Sequence, residues 1–542
     1  MNLTQGYFNL VLHAHLPFVR HPEHEFFLEE SWLFEGITET YIPLLLMFRA
    51  WERDGIPFKL TLSLTPTLLA MLNDELLQNR YLRYLRNLKS LSEKELDRIR
   101  SDSAFYPAAK LYYDRFVESE NFFENECQRN LIPAFKHFQD LGFLEIITSA
   151  ATHAFLPLLS LFPEAVKAQI RIAATDYEHY FNCKPRGIWL PECGYFSNLD
   201  EILAENGIEY FFLDAHGLLY GEPRPLFGVH APIRTPAGVH AFSRDLETSK
   251  VVWSQEEGYP GDPYYREFYR DIGWELDYEY LKPHLGTDLT RKNLGIKYFR
   301  VTDRHASFKM PYEPEIAMLR ADAHASHFLS QRIAQAQSLY REMGRAPILV
   351  STYDAELFGH WWFEGPKFLD FLFRKMYFDQ SVVAMTHPLE YLNRHDMHQT
   401  LTPCISSWGD QGYNQFWLNE KNDWIYRHLH AAVKRMLEQV HEFHEATPII
   451  KPQALIKPQA LLKRRVLNQA ARELLLAQSS DWAFIMRTGT MVPYAEKRTR
   501  DHLARFHYLC DMLKTKLINE PWLQELEWRD NIFPDLDYRV YL

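Results

Sequence analysis

Through the first 390 residues, short apolar runs rich in β-branched and aromatic side chains alternate with helical patterns, and that alternation constrains the fold more than any other feature. Residues 8–12 (FNLVL), 58–63 (FKLTLS), 144–148 (LEIIT), 187–190 (GIWL), 209–213 (EYFFL), 347–351 (PILVS) and 381–385 (SVVAM) read as strands. Strands separated by helices pair in parallel, and this many close into a β/α barrel. The interval 70–143 is charged, tyrosine-rich and helical in period, and reads as a helical domain inserted between two barrel strands. The interval 222–290, rich in Gly, Pro and Tyr, reads as a long excursion above the barrel. Beyond 391 strand signals stop, and amphipathic helices at 420–445, 462–478 and 497–518 mark a C-terminal helical domain. The expected layout is a barrel at 1–69 and 144–390, an insertion at 70–143 and a helical domain at 391–542. A tandem IKPQAL at 450–455 and 456–461 reads as an extended connector.

In β/α barrels chemistry collects where strands end. Here FNLVL runs into His13 and His15, LEIIT into Ser149 and His153, and GIWL into Pro191-Glu192-Cys193. EYFFL runs into Asp214-Ala215-His216, and PILVS into Tyr353-Asp354-Ala355-Glu356. Carboxylates from different strands in an aromatic-rich chain, with 13 Trp and 30 Tyr, fit glycoside chemistry. A retaining enzyme needs one ionised carboxylate as nucleophile and one protonated carboxyl as acid, roughly 5–5.5 Å apart. Glu192, Asp214, Asp354 and Glu356 are all candidates, and spacing alone leaves the pair open. The His-x-His also admits a competing arrangement in which His13, His15, His153 and Asp214 ligate a metal. Imidazoles serve equally to bind sugar hydroxyls, and the carboxylates with many Trp place sugar ahead of metal. Cys193 reads as a pocket-lining thiol.

A net charge of -12 speaks against nucleic-acid or anionic-membrane partners. Five cysteines without a CxxC pair suit reduced thiols. No leader and no apolar run of about 18 residues is evident, so a cytoplasmic location is expected.

The segments His13-Ala14-His15-Leu16-Pro17-Phe18, Trp189-Leu190-Pro191-Glu192-Cys193-Gly194-Tyr195 and Tyr353-Asp354-Ala355-Glu356-Leu357-Phe358-Gly359-His360-Trp361-Trp362 resemble glycoside hydrolase family 57, and within it the branching-enzyme group. The resemblance runs nearly end to end, through Trp32-Leu33-Phe34-Glu35-Gly36, Glu257-Gly258-Tyr259-Pro260-Gly261-Asp262, Ser406-Ser407-Trp408-Gly409 and Ser480-Asp481-Trp482. It implies a distorted (β/α)7 TIM-like barrel with an inserted helical domain and an all-helical C-terminal domain that contributes to the substrate cleft. It also implies Glu192 as nucleophile and Asp354 as acid/base. His13, His15, His153, Asp214 and His216 would hold the sugar at the cleaved bond, with Ser480 and Asp481 reaching in from the helical domain. Trp32, Trp274, Trp361, Trp408 and Trp417 would line the donor and acceptor grooves. No metal or organic cofactor belongs to the pattern, the partner is an α-glucan, and the chain would be a monomer or small homo-oligomer.

The implied reaction cleaves an α-1,4 bond and forms an α-1,6 branch with retention. Members of that group carry a tyrosine near the tip of a loop over the cleft, and the corresponding stretch, Ala231–Trp253, has none, though at full length it should form a lid. An α-glucan hydrolase or 4-α-glucanotransferase is therefore the alternative. A metal-dependent hydrolase and a silent glucan-binding protein are the other classes to separate.

Overall fold

The computed structural model describes residues 4–253, 258–303, 306, 308–395, 397–446 and 458–542. Nine strands occur among them: β1 (Gly6–Ala14), β2 (Leu60–Leu64), β3 (Leu144–Ile147), β4 (Gly187–Ile188), β5 (Tyr210–Leu213), β6 (Ile233–Arg234), β7 (His240–Ser243), β8 (Ile348–Asp354) and β9 (Val383–Met385). β1 pairs in parallel with β2 on one side and β8 on the other. β2 pairs with β3, and Thr148 just past β3 bridges to Ile188 of β4. β4, β5 and β7 continue in parallel. The Asp245 N–H then donates to the Val350 carbonyl of β8 at 2.9 Å, which closes a ring of seven parallel strands.

Alternation along each strand explains the two faces. Phe8, Leu10 and Leu12 of β1 join the large core shared with the surrounding helices. Val11 points the other way, into an interior packed with Ile147, Trp189, Tyr210, Phe212, Phe242, Ile348 and Val350. His13 follows Val11 by two residues and therefore stands above that plug. Its register partners are Ser63 of β2 and Asp354 of β8, so all three share one level at the rim.

Two of the sequence expectations change here. The seventh barrel strand is not 381–385, because among the described residues β9 pairs only with Gly6–Phe8 at the opposite end of β1. It is β7, inside the interval read as an excursion, and β6 runs back against it as a short antiparallel partner. The stretch Ala231–Trp253 thus builds barrel wall and the helix Leu246–Trp253, with Phe242 buried in the plug, and does not form the expected lid.

Between β2 and β3 the helices Glu75–Arg98 and Tyr106–Asn121 lie side by side, followed by Ile132–Asp140. After β9 come the helices Trp424–Ala446, Pro458–Ala477, Ser480–Thr488, Val492–Thr515 and Glu520–Arg529. The first IKPQAL copy lies outside the described residues, but Pro458 of the second opens a helix where an extended connector was expected. Proline suits a helix's first turn because its missing N–H has no intrahelical partner there.

Close packing also fixes the turn after β8. Gly359 has φ +119°, and a Cβ there would lie 1.8 Å from the Glu39 carbonyl oxygen. Gly359→Ala should therefore force this turn open, and thermal unfolding should show a Tm lower by several degrees, since roughly 2 kcal/mol or more is lost at a strained, overpacked site. An unchanged Tm would contradict the close approach.

Candidate active site

Glu192 sits in the turn after β4, where it and Cys193 have φ of 61° and 51°. Left-handed backbone at a non-glycine residue costs about 1–3 kcal/mol and persists only where its surroundings enforce it. The enforcement comes from the segment after β9. The Trp408 N–H donates to the Glu192 carbonyl at 2.9 Å, and its indole N–H donates to Oε2 at 2.8 Å. Oε1 accepts from Ser480 Oγ at 3.1 Å. Burial, the largest influence, pushes the Glu192 pKa up to about 7, with Asp481 adding to it and Trp408, His15 and Ser480 pulling down.

Asp354 ends β8 and receives no side-chain hydrogen bond among the described residues. Burial, then the charges of Glu356 and Glu192, hold its pKa well above the ordinary carboxylate range, with Arg244 acting against them. Glu192 thus has two donors that favour its anion, whereas Asp354 has none and faces two neighbouring carboxylates. Glu192 is the group suited to ionise and Asp354 the one suited to keep its proton.

The other two carboxylate candidates are occupied. Glu356 Oε1 accepts from Tyr41 Oη at 2.5 Å and from the His15 N–H at 3.2 Å. Asp214 accepts from Arg244 and pairs with His216 Nδ1 at 3.1 Å. The other His216 nitrogen, Nε2, donates to the Gly412 carbonyl at 2.6 Å. Acceptors on both nitrogens favour the imidazolium, and the hydrogen bond to Asp214 accordingly raises the His216 pKa.

His15, at the cleft face, pairs with both oxygens of Asp481 at 3.0 Å. Burial opposes a charged His15, but Asp481, Glu356 and Glu192 together outweigh it and raise its pKa. Burial likewise opposes ionised Asp481, yet His15 brings it down to about 2. Behind this ion pair His13 and His153 are almost fully buried, 2% and 3% exposed, and their Nε2 atoms meet at 2.9 Å. Burial, then neighbouring imidazoles, keeps both neutral. The His13 ring lies flat on Trp189 of the barrel plug, centroids 4.9 Å apart.

The predicted tryptophans separate. Trp274 and Trp361 are 57% and 53% exposed; Trp361 stacks on Phe268 at 4.5 Å, and the Trp274 indole donates to Asn293 at 2.8 Å. Trp408 holds Glu192, and Trp32 packs its edge on Tyr494. Trp417 is only 1% exposed and stacks on Phe155 behind the rim, where it backs Gly409 rather than facing a groove. Sequence reasoning missed Tyr41, Ser63 and Arg244. Arg244 follows β7 and could have been found only by recognising that strand. Among the described residues, His15, His153 and Asp481 have donor atoms within 4.8 Å of one another, and Asp214 is not in that group.

Two part-buried carboxyl groups with unequal hold on their protons, offered by two strands of one barrel and near enough for the charge of Glu192 to bear on Asp354, suit glycoside chemistry and define a glycoside hydrolase. The chain belongs to glycosyl hydrolase family 57, whose family model matches residues 9–403. Residues 428–541 match a second model, described as 1,4-alpha-glucan branching enzyme, C-terminal. The 1,4-alpha-glucan branching enzyme of Thermococcus kodakarensis is 32% identical, over 98% of this chain and 77% of that protein. The crystal structure of the alpha-amylase AmyC from Thermotoga maritima superposes with a TM-score of 0.90 at 45% identity, covering 99% of both chains. That of a branching enzyme from Pyrococcus horikoshii gives 0.86 at 32% identity, covering 99% of this chain and 97% of the other.

Proposed function

We propose that this chain is a 1,4-alpha-glucan branching enzyme that works by retaining transglycosylation. The observation that carries the reading is the unequal treatment of Glu192 and Asp354 at one rim. The branching-enzyme C-terminal match over 428–541 supports the choice of reaction. Glu192 attacks C1 of an α-1,4-linked glucose while Asp354 gives its proton to the departing O4. A β-linked glycosyl ester on Glu192 keeps the non-reducing-end fragment. Asp354, now a carboxylate, takes the proton from the 6-hydroxyl of an acceptor glucose, whose oxygen attacks C1 and frees Glu192. Two inversions leave an α-1,6 branch. His15 and Asp481 face the sugar at the cleaved bond, with Asp214 and His216 beside them; Trp274 and Trp361 offer ring faces to the chains on either side.

The likeness to the alpha-amylase favours hydrolysis as a second reading. Incubation with amylose followed by proton NMR and debranching separates the two. New α-1,6 linkages are expected to outnumber new reducing ends; reducing ends without branches would make hydrolysis the activity. Among the described residues no helix is long and apolar enough to cross a membrane. We place the enzyme in the cytoplasm, where its five unpaired cysteines would stay reduced.

A further inference from the structure

Four consecutive hydrogen bonds run from the barrel wall to Glu192. Ser63 Oγ meets His13 Nδ1 at 3.0 Å, His13 Nε2 meets His153 Nε2 at 2.9 Å, and His153 Nδ1 meets Ser480 Oγ at 2.9 Å. Ser480 Oγ then meets Glu192 Oε1 at 3.1 Å. Each ring uses both its nitrogens in the chain, and two facing Nε2 atoms need one proton between them, not two and not none. An anionic Glu192 only accepts, so Ser480 must donate to it and must accept from His153 Nδ1–H. His153 Nε2 then bears a lone pair, His13 Nε2 carries the hydrogen, and His13 Nδ1 accepts from the Ser63 hydroxyl. One ionised carboxylate therefore fixes every proton in the series. Protonated Glu192 would reverse every link, and Ser63, a hydroxyl at the far end, can serve either direction.

We propose that Ser63, His13, His153 and Ser480 form a relay that positions Glu192 Oε1 and whose proton order follows the ionisation of that carboxylate, with Ser63 as the positioning residue that ends the relay within β2. The relay rests on the reading of Glu192 as nucleophile for its effect on rate, but not for its proton arrangement. Burial of both rings supports it, since neutral imidazoles are required throughout. The two histidines thus act behind the sugar site, in contrast to His15, which pairs with Asp481 at its surface.

The test has two arms. Histidine labelled with 15N, assigned through His13→Gln and His153→Gln, should show in the unmodified enzyme above pH 8 a neutral Nε2–H tautomer at His13 and a neutral Nδ1–H tautomer at His153. The opposite tautomers, or an imidazolium at either, would overturn the relay whether or not Glu192 is the nucleophile. In the second arm Ser63→Ala should lower kcat about fivefold, the effect of one neutral hydrogen bond, with KM within twofold, and Ser63→Thr should restore it. Unchanged kcat in Ser63→Ala, or an equal loss in Ser63→Thr, would remove the functional role. Correct tautomers with a failed second arm would leave the proton order standing and overturn its effect on rate, whereas a wrong role for Glu192 would show separately as substantial amylose turnover in Glu192→Gln.

Discussion

Glu192→Gln should lower turnover of amylose by roughly a thousandfold or more, with little change in fold or glucan binding. The substitution keeps the shape of the side chain but removes the attacking oxyanion. It also sets an amide NH2 against one of two groups, Trp408 N–H and Ser480 O–H, that already act as donors. A retaining enzyme without its nucleophile has no path to the ester, so kcat and kcat/KM should fall together. Glu192→Ala extends the test, because it opens space on the face from which Glu192 attacks. With an α-glucosyl fluoride donor, added azide should enter that space and give the β-glucosyl azide. Recovery of the α-azide, or residual amylose turnover above a few per cent, would show that another group is the nucleophile.

The barrel was legible because its strands alternate and end on polar side chains. β7 was not, because HAFS is a four-residue strand whose partner β6 is shorter still, and nothing local separates it from the loops around it. Among the four carboxylates, spacing could not choose. The structure disposes of two by partners that no motif announces, Arg244 for Asp214 and Tyr41 for Glu356. His15 and Asp481 are separated by 466 positions, so their ion pair could enter only through family resemblance. Trp408 and Trp417 look alike in sequence, yet one clasps Glu192 and the other lies behind the rim; that difference is decided by packing.

Asp354→Asn should cost amylose turnover a similar thousandfold, but the loss should depend on the leaving group, which separates the acid from the nucleophile. A departing glucan oxygen needs a proton, whereas fluoride leaves without one, so an α-maltosyl fluoride donor should be used within roughly tenfold of the wild-type rate in forming the ester. The pH dependence should divide in the same way. Glu192 works as the anion, and its pKa lies near 7, so activity falls as pH drops through that value. Asp354 works as the acid, so wild-type activity falls again as pH rises through its own raised pKa, whose cause is burial and then the charges of Glu356 and Glu192. In Asp354→Asn the alkaline limb should vanish for the fluoride donor while the acid limb persists. Among the described residues no side chain donates to this carboxyl group, so losing its titration should leave the Glu192 contacts to Trp408 and Ser480 in place. If the fluoride were used as poorly as amylose, or the alkaline limb survived, the proton would have to come from elsewhere, and Glu356, held by Tyr41 at the same rim, would be the next group to replace.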